Sequence, residues 1–121
     1  VSKRNLLAEF ADHVLSFVDV ASLRPLKVVA DTANGMGGLV VPAVFERLNM
    51  IDLEVMYGEL DGTFPNHPAD PIQPANQRDL QARVLAGGFD LGLEACLLGE
   101  VGLRDVFVAQ LALVDTEARR A

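Results

Sequence analysis

The sequence predicts an α/β fold, a three-layer α/β/α domain around a small, largely parallel sheet. Three observations carry this. Leu26, Val28 and Val29 form an apolar, β-branched run of the kind found in buried strands. The run passes through Asp31 into a turn rich in glycine, with Asn34, Gly35, Gly37 and Gly38, and apolar residues resume behind it at helical spacing. A second strand-like run, Asp52–Tyr57, follows that helix. Strand, helix and strand make a βαβ unit, with parallel strands and a right-handed crossover.

Before this unit, Ser2 is placed to cap a first helix. Leu6, Leu7, Phe10, Val14, Phe17 and Val18 form its apolar stripe, with Lys3, Glu9 and Asp12 off it and His13 on its flank. The helix should end near Asp19–Ser22, and Arg24–Pro25 should link it to the first strand, because proline disfavours helix at the preceding residue. The second helix should run from Leu39 to Leu48, burying Val41, Val44, Phe45 and Leu48, with Pro42 tolerated in its first turn. Along Asp52–Tyr57, Leu53, Val55 and Tyr57 share a face.

Glu59–Pro74, ELDGTFPNHPADPIQP, holds four of the six prolines and reads as an ordered loop or tether, pinned by Phe64 and His67. A third helix, Ala75–Ala86, should turn Leu80, Val84 and Leu85 inward and stop at Gly87-Gly88. Phe89–Leu93, FDLGL, is the third strand. Beyond Ala95, Leu103, Val106, Phe107, Leu111 and Val114 fit a helix, and Val106–Val114 also fits a strand; the length of the segment favours helix.

The 121 residues suffice for one domain, and half of them are hydrophobic, which favours a packed globule over disorder. The chain opens on Val1 rather than methionine, which suggests an excised or processed piece. A net charge of −7 argues against nonspecific nucleic-acid or anionic-membrane binding. The basic pairs Lys3–Arg4 and Arg119–Arg120 are short and read as solvated surface. Cys96 is the only cysteine, so no internal disulfide forms, and a cytoplasmic setting is expected. No stretch is apolar for long enough to span a membrane as a helix, and no signal-peptide pattern opens the chain.

Backbone N–H groups at a helix start can hold a phosphate, so the glycine turn has a nucleotide-binding reading. The dinucleotide fingerprint, however, requires glycine where Val40 stands, and the NTPase loop requires lysine where Leu39 follows Gly38. Glycines that let strand and helix approach closely are the better reading. Glu59, Asp61, His67 and Asp70 form the densest set of possible metal ligands, with oxygens suited to Mg²⁺ or Ca²⁺ and an imidazole suited to Zn²⁺. Their spacing matches no closed zinc site and no EF-hand loop, and the acids are also ordinary turn residues. No Ser-His-Asp, Cys-His or G-x-S-x-G arrangement is present.

Val28–Gly38, VVADTANGMGG, and Leu60–Pro71, LDGTFPNHPADP, together resemble the second domain of the α-D-phosphohexomutases, the phosphomannomutase/phosphoglucomutase family. Asp61–His67 is the most specific part, and the likeness runs from Val1 to about Leu93. It implies a family-like region over residues 1–94 and a divergent tail over 95–121. Enzymes of this family place four domains around a cleft and move a phosphoryl group between the 1 and 6 positions of a hexose phosphate, starting from a phosphoserine on the first domain. Their second domain binds Mg²⁺ through a D-G-D-x-D-R loop after a strand like FDLGL, offsetting the charge in transit.

Here Glu94-Ala95-Cys96-Leu97-Leu98-Gly99-Glu100 stands in place of that loop, with no aspartate triplet. The resemblance therefore carries over no catalytic, cofactor-binding or metal residue. Asp31, Asn34, Gly35, Gly38, Asp61, Phe64, Pro65 and His67 match as scaffold. Mg²⁺, the hexose phosphate and the remaining domains are expected of the intact enzyme, with no nucleic acid and no membrane among the partners. The alternative is a non-catalytic α/β module that binds a nucleotide or partner protein at Gly35–Gly38.

Overall fold

In the computed structural model, which describes residues 2–95 and the backbone of 110–112, strand β1 (Leu26–Asp31) lies between two parallel neighbours. Its partners are β2 (Ile51–Met56) and β3 (Leu91–Glu94), and β4 (Gln110–Ala112) extends the sheet in the order β2-β1-β3-β4. The β1–β2 register runs from Leu26 opposite Ile51 to Asp31 opposite Met56. The β1–β3 register runs from Val28 opposite Leu91 to Asp31 opposite Glu94. Thus Asp31 and Glu94 end neighbouring strands side by side. β4 is antiparallel to β3, with Ala112 opposite Gly92.

A central strand is covered on both faces and reads as an apolar run. Alternation along β1 sends Val29 to one side and Ala30 to the other. Val29 packs with Leu80 and Val84 of helix α3 (Arg78–Gly87), with Phe89, and with Met56 at the edge. Ala30 packs with Val41 of helix α2 (Gly37–Phe45) and with Ala95, flanked by Phe45, Leu53 and Leu93. Helix α1 (Leu7–Leu15) lies against α2, and Arg47 beyond α2 pairs with Asp12. The result is the expected three layers. A Cβ at Gly92 would stand 2.8 Å from a Val84 methyl, so α3 sits close over β3 because that strand carries glycine there. Each fully buried leucine or valine in these clusters contributes about 1.5–3 kcal/mol.

Several boundaries differ from expectation. α1 starts at Leu7, whose N–H donates to the Asn5 side chain (3.0 Å), so Asn5 rather than Ser2 sets the start. It ends at Leu15, before a 3₁₀ turn at Val20–Ser22 in which the Asp19 carboxylate accepts the Ala21 N–H. The stripe is consequently cut short: Phe17 is 77% exposed, and Ala11 is the residue α1 buries. α3 starts at Arg78 rather than Ala75. The amides of Asn76 and Gln77 donate to the Asp70 and Pro71 carbonyls (2.9 and 2.6 Å) and hold the chain in turns before it. Leu80 and Val84, four residues apart, are buried, whereas Leu85 is rotated off that face and exposed. Gly88, left-handed at φ 64°, closes the helix.

The helix expected in the tail is overturned at Gln110–Ala112, where the backbone pairs with β3 instead. Leu103, Val106, Phe107 and Val114 lie outside the described residues, as do Cys96 and Glu100. Among the described residues, no helix is long and apolar enough to cross a membrane.

Candidate functional site

The carboxyl ends of β1, β2 and β3 converge on one corner of the domain. Asp31, the last residue of β1, is fully buried. Its Oδ1 accepts the Ala33 N–H (2.9 Å), tightening a turn in which Ala33 and Asn34 are both left-handed, at φ 46° and 59°. The turn is laced to the end of β2. The Thr32 hydroxyl donates to the Tyr57 carbonyl (2.8 Å), and the Asn34 N–H donates to the same oxygen (2.9 Å). Cβ atoms at Gly37 and Gly38 would fall 2.3 Å from the Ala95 carbonyl oxygen and 2.1 Å from that of Gly58. These two glycines therefore let the first turn of α2 touch the chain leaving β3 and β2.

Asn34 is the hub for the loop that follows β2. Its carbonyl accepts the Asp61 N–H (2.9 Å), its side-chain amide donates to the Glu59 carbonyl (2.9 Å), and its side-chain oxygen accepts from Asn66 (2.8 Å). The loop and the turn after β1 enclose an open groove of about 640 Å³, lined in part by Asn34, Gly35, Met36, Leu60, Phe64 and Pro68.

His67 reaches from the loop into the buried corner. Its Nδ1 lies 2.9 Å from the Pro68 carbonyl oxygen, which can only accept, so Nδ1 carries a proton. Its Nε2 lies 2.9 Å from Asp31 Oδ2. Glu94, buried at the end of β3, completes a trio in which one nitrogen or carboxylate oxygen from each side chain lies within 4.8 Å of the other two. These residue types also serve as metal ligands, but the Asp31–His67 separation is that of a hydrogen bond, and the trio reads as a proton-sharing cluster.

Burial governs the cluster's titration. It raises the Asp31 carboxyl by more than the hydrogen bonds from His67 and Ala33 lower it. It pulls the His67 imidazolium down, but the bonds to Asp31 and the Pro68 carbonyl outweigh it, and the net shift is upward. Burial, reinforced by the charge on Asp31, pushes Glu94 up to about 7. Tyr57 stands edge-on to His67, 5.7 Å between ring centres, and donates its hydroxyl to Asp79 (2.7 Å). That bond, followed by burial, pushes the Tyr57 hydroxyl up to about 12.

The four possible metal ligands singled out from the sequence are not brought together. Asp61 accepts from the Thr63 N–H and hydroxyl (2.9 and 2.8 Å), which hold its carboxyl low, and Asp70 accepts from the Ile72 N–H (3.1 Å). Both acids thus serve turns. His67 leaves that set and joins Asp31 and Glu94 instead. Phe64, left-handed at φ 50°, is 38% exposed beside Gly35, and Pro65 is exposed, so His67 rather than Phe64 anchors the loop to the interior. Glu94 is the member that sequence reasoning passed over; its position at the end of FDLGL, in register with Asp31, is the signal that could have found it.

A Mg²⁺ ion takes about six oxygen ligands in near-octahedral geometry. After β3 the described chain offers Glu94, committed to the buried cluster, and Ala95, which has no side-chain donor. These two residues do not fit a Mg²⁺ site.

The sequence model of the phosphoglucomutase/phosphomannomutase α/β/α domain II matches residues 8–95. A phosphomannomutase/phosphoglucomutase of Pseudomonas aeruginosa is 45% identical over 75 residues, which cover 62% of this chain and 16% of that protein. The protein of the same name from Pseudomonas putida is 39% identical over 93 residues, 77% of this chain and 19% of its own length. A crystal structure of a phosphoglucomutase/phosphomannomutase family protein from Burkholderia thailandensis superposes with a TM-score of 0.64 at 27% identity, over 76% of this chain and 19% of that one. The chain thus spans about a fifth or less of the relatives it matches.

Proposed function

The chain belongs to the phosphoglucomutase/phosphomannomutase family, and we propose that it acts as the second domain of a phosphohexomutase, as scaffold rather than as catalyst. The observation that carries this reading is the match of domain II to nearly all of the described body, residues 8–95. The parent reaction would move a phosphoryl group between the 1 and 6 positions of a hexose phosphate, in cytoplasmic carbohydrate metabolism, with Mg²⁺ and the donor serine supplied by the intact enzyme. Residues 1–94 are the family-like region on this reading, and 95–121 a divergent continuation.

Phosphoryl transfer is almost entirely positioning and electrostatic stabilisation. It needs a donor, a cation to offset charge, and groups that hold both ends of the sugar. The chain has no family serine loop, no aspartate triplet after β3 and no sugar-phosphate loops. Loss of the metal alone costs several kcal/mol of transition-state stabilisation, each ~1.4 kcal/mol being tenfold in rate. The purified chain, given Mg²⁺, hexose 1,6-bisphosphate and either glucose 1-phosphate or mannose 1-phosphate, should form no 6-phosphate product. Calorimetry should detect no saturable Mg²⁺ site. Turnover above the no-protein control would sink the scaffold reading.

A further inference from the structure

We propose that the buried Asp31–His67–Glu94 cluster is a proton-operated latch, which holds the His67–Ala69 stretch of the loop against the carboxyl ends of β1 and β3 and frees it on deprotonation. The Pro68 carbonyl fixes one proton on His67 Nδ1, so a second proton must lie between Nε2 and Asp31 Oδ2 for their 2.9 Å contact to attract. Without it, a ring lone pair faces a carboxylate where little water enters, since Asp31 is 0% and His67 9% exposed. An unpaired buried polar contact of that kind is costly.

The ties that flank this stretch do not titrate, and the carboxylates of Asp61 and Asp70 bond only within their own turns. The Asp61 N–H and the Asn66 side chain are held by Asn34, and the Asp70 carbonyl is held by the Asn76 amide. All three are neutral amide contacts that bracket His67, so loss of the proton opens the stretch between Asn66 and Asp70 and leaves the rest in place. Pro68 and Ala69 line the groove, which makes its wall the part that moves.

The groups that face His67 set the pH of release. β1 presents Asp31, β3 presents Glu94, the chain after β2 presents Tyr57, and α3 presents Asp79 through Tyr57. The first turn of α2, Gly37–Val40, has no titratable residue. None of these neighbours is cationic, and the carboxylates of Asp31 and Glu94 favour retention of the proton. Glu94 ionises near neutrality, and its charge then holds the remaining proton on His67, which delays release to higher pH.

The test uses the full chain. The His67 ring resonance, told from that of His13 with H13Q, should titrate with a midpoint above 6.5. Hydrogen-exchange protection of the Asp70 N–H, which is bonded to the Pro68 carbonyl, should fall with the same midpoint. The Asp61 N–H, bonded to the Asn34 carbonyl, should keep its protection. In Glu94→Gln both midpoints should move down together by roughly 1 pH unit, the scale of one nearby opposite charge. Asp70 protection that persists through the His67 titration would overturn the latch. So would simultaneous loss of protection at Asp61 and Asp70, which marks unfolding rather than local release. If Glu94→Gln does not fold, the wild-type curves decide alone.

Discussion

Asn34 and His67 hold the same loop by different physics, and the two make separable predictions. Asn34 works through neutral hydrogen bonds and through its tolerance of a left-handed backbone at φ 59°. Asn34→Ala loses two side-chain bonds, worth about 1 kcal/mol each, and places alanine where the backbone costs about 1–2 kcal/mol. Urea denaturation should show a loss of about 3–4 kcal/mol at every pH. His67 and its neighbours instead make stability depend on pH. A histidine raised above 6.5 contributes fully below that value, and the contribution is lost as pH climbs through its folded value. Glu94, raised from 4.5 to about 7, is favoured neutral in the fold, so stability falls across that interval as the unfolded chain ionises first. Asp31, also raised, acts in the same direction. Glu54 and Asp61 are lowered by Arg83 and Thr63 and act oppositely at the acid end, but both remain partly open to solvent and weigh little. Denaturation midpoints should therefore decline from pH 4.5 to above 7, and Glu94→Gln should flatten the decline; midpoints that rise over this range would contradict the assignment. Most of this site's residues, though not their meeting, were legible in the sequence. Asp31, Asn34 and His67 stood out in motifs, yet Asp31 and His67 are 36 residues apart and meet only because parallel strands end together. Glu94 lay in no motif, and its importance comes from register alone.

Among the elements, β1, α2, β2 and β3 were legible because each is an apolar run bounded by glycine, proline or aspartate, and the layers followed from their order. The ends of α1 and α3 were not, because side chains of Asn5, Asp19, Asn76 and Gln77 fix them by bonding to backbone groups. β4 was missed because a short apolar run fits helix and strand alike, and the free edge of β3 that recruits it is a tertiary fact. The junction of β1 and α2 is the element-level feature with the least slack. A methyl at Gly38 would meet the Gly58 carbonyl oxygen at 2.1 Å, and that oxygen belongs to backbone, which gives poorly. Alanine gains up to about 1 kcal/mol in a helix interior over glycine. The overlap costs about 1–3 kcal/mol. Gly38→Ala should thus lower the melting temperature, and a variant as stable as the parent would show that the two turns are not in contact.

At the scale of the whole molecule, the domain presents one built face. The carboxyl ends of three parallel strands, the Asn34 hub and the apolar groove all lie on it, with Met36 and Leu60 nearly half exposed at the rim. In open α/β sheets this is the end that meets ligands and neighbouring parts. The chain covers at most about a fifth of its relatives, and on the proposed reading this face is what the remaining domains use. On the proposed reading, the described body can serve as a phosphohexomutase second-domain scaffold beside an intact metal loop. A chimera decides this: residues 8–94 replace the matching segment of the Pseudomonas aeruginosa relative, and the host sequence resumes from there. The chimera should convert glucose 1-phosphate to glucose 6-phosphate in the presence of Mg²⁺ and the bisphosphate activator. A chimera that folds and binds Mg²⁺ but forms no product would contradict that reading.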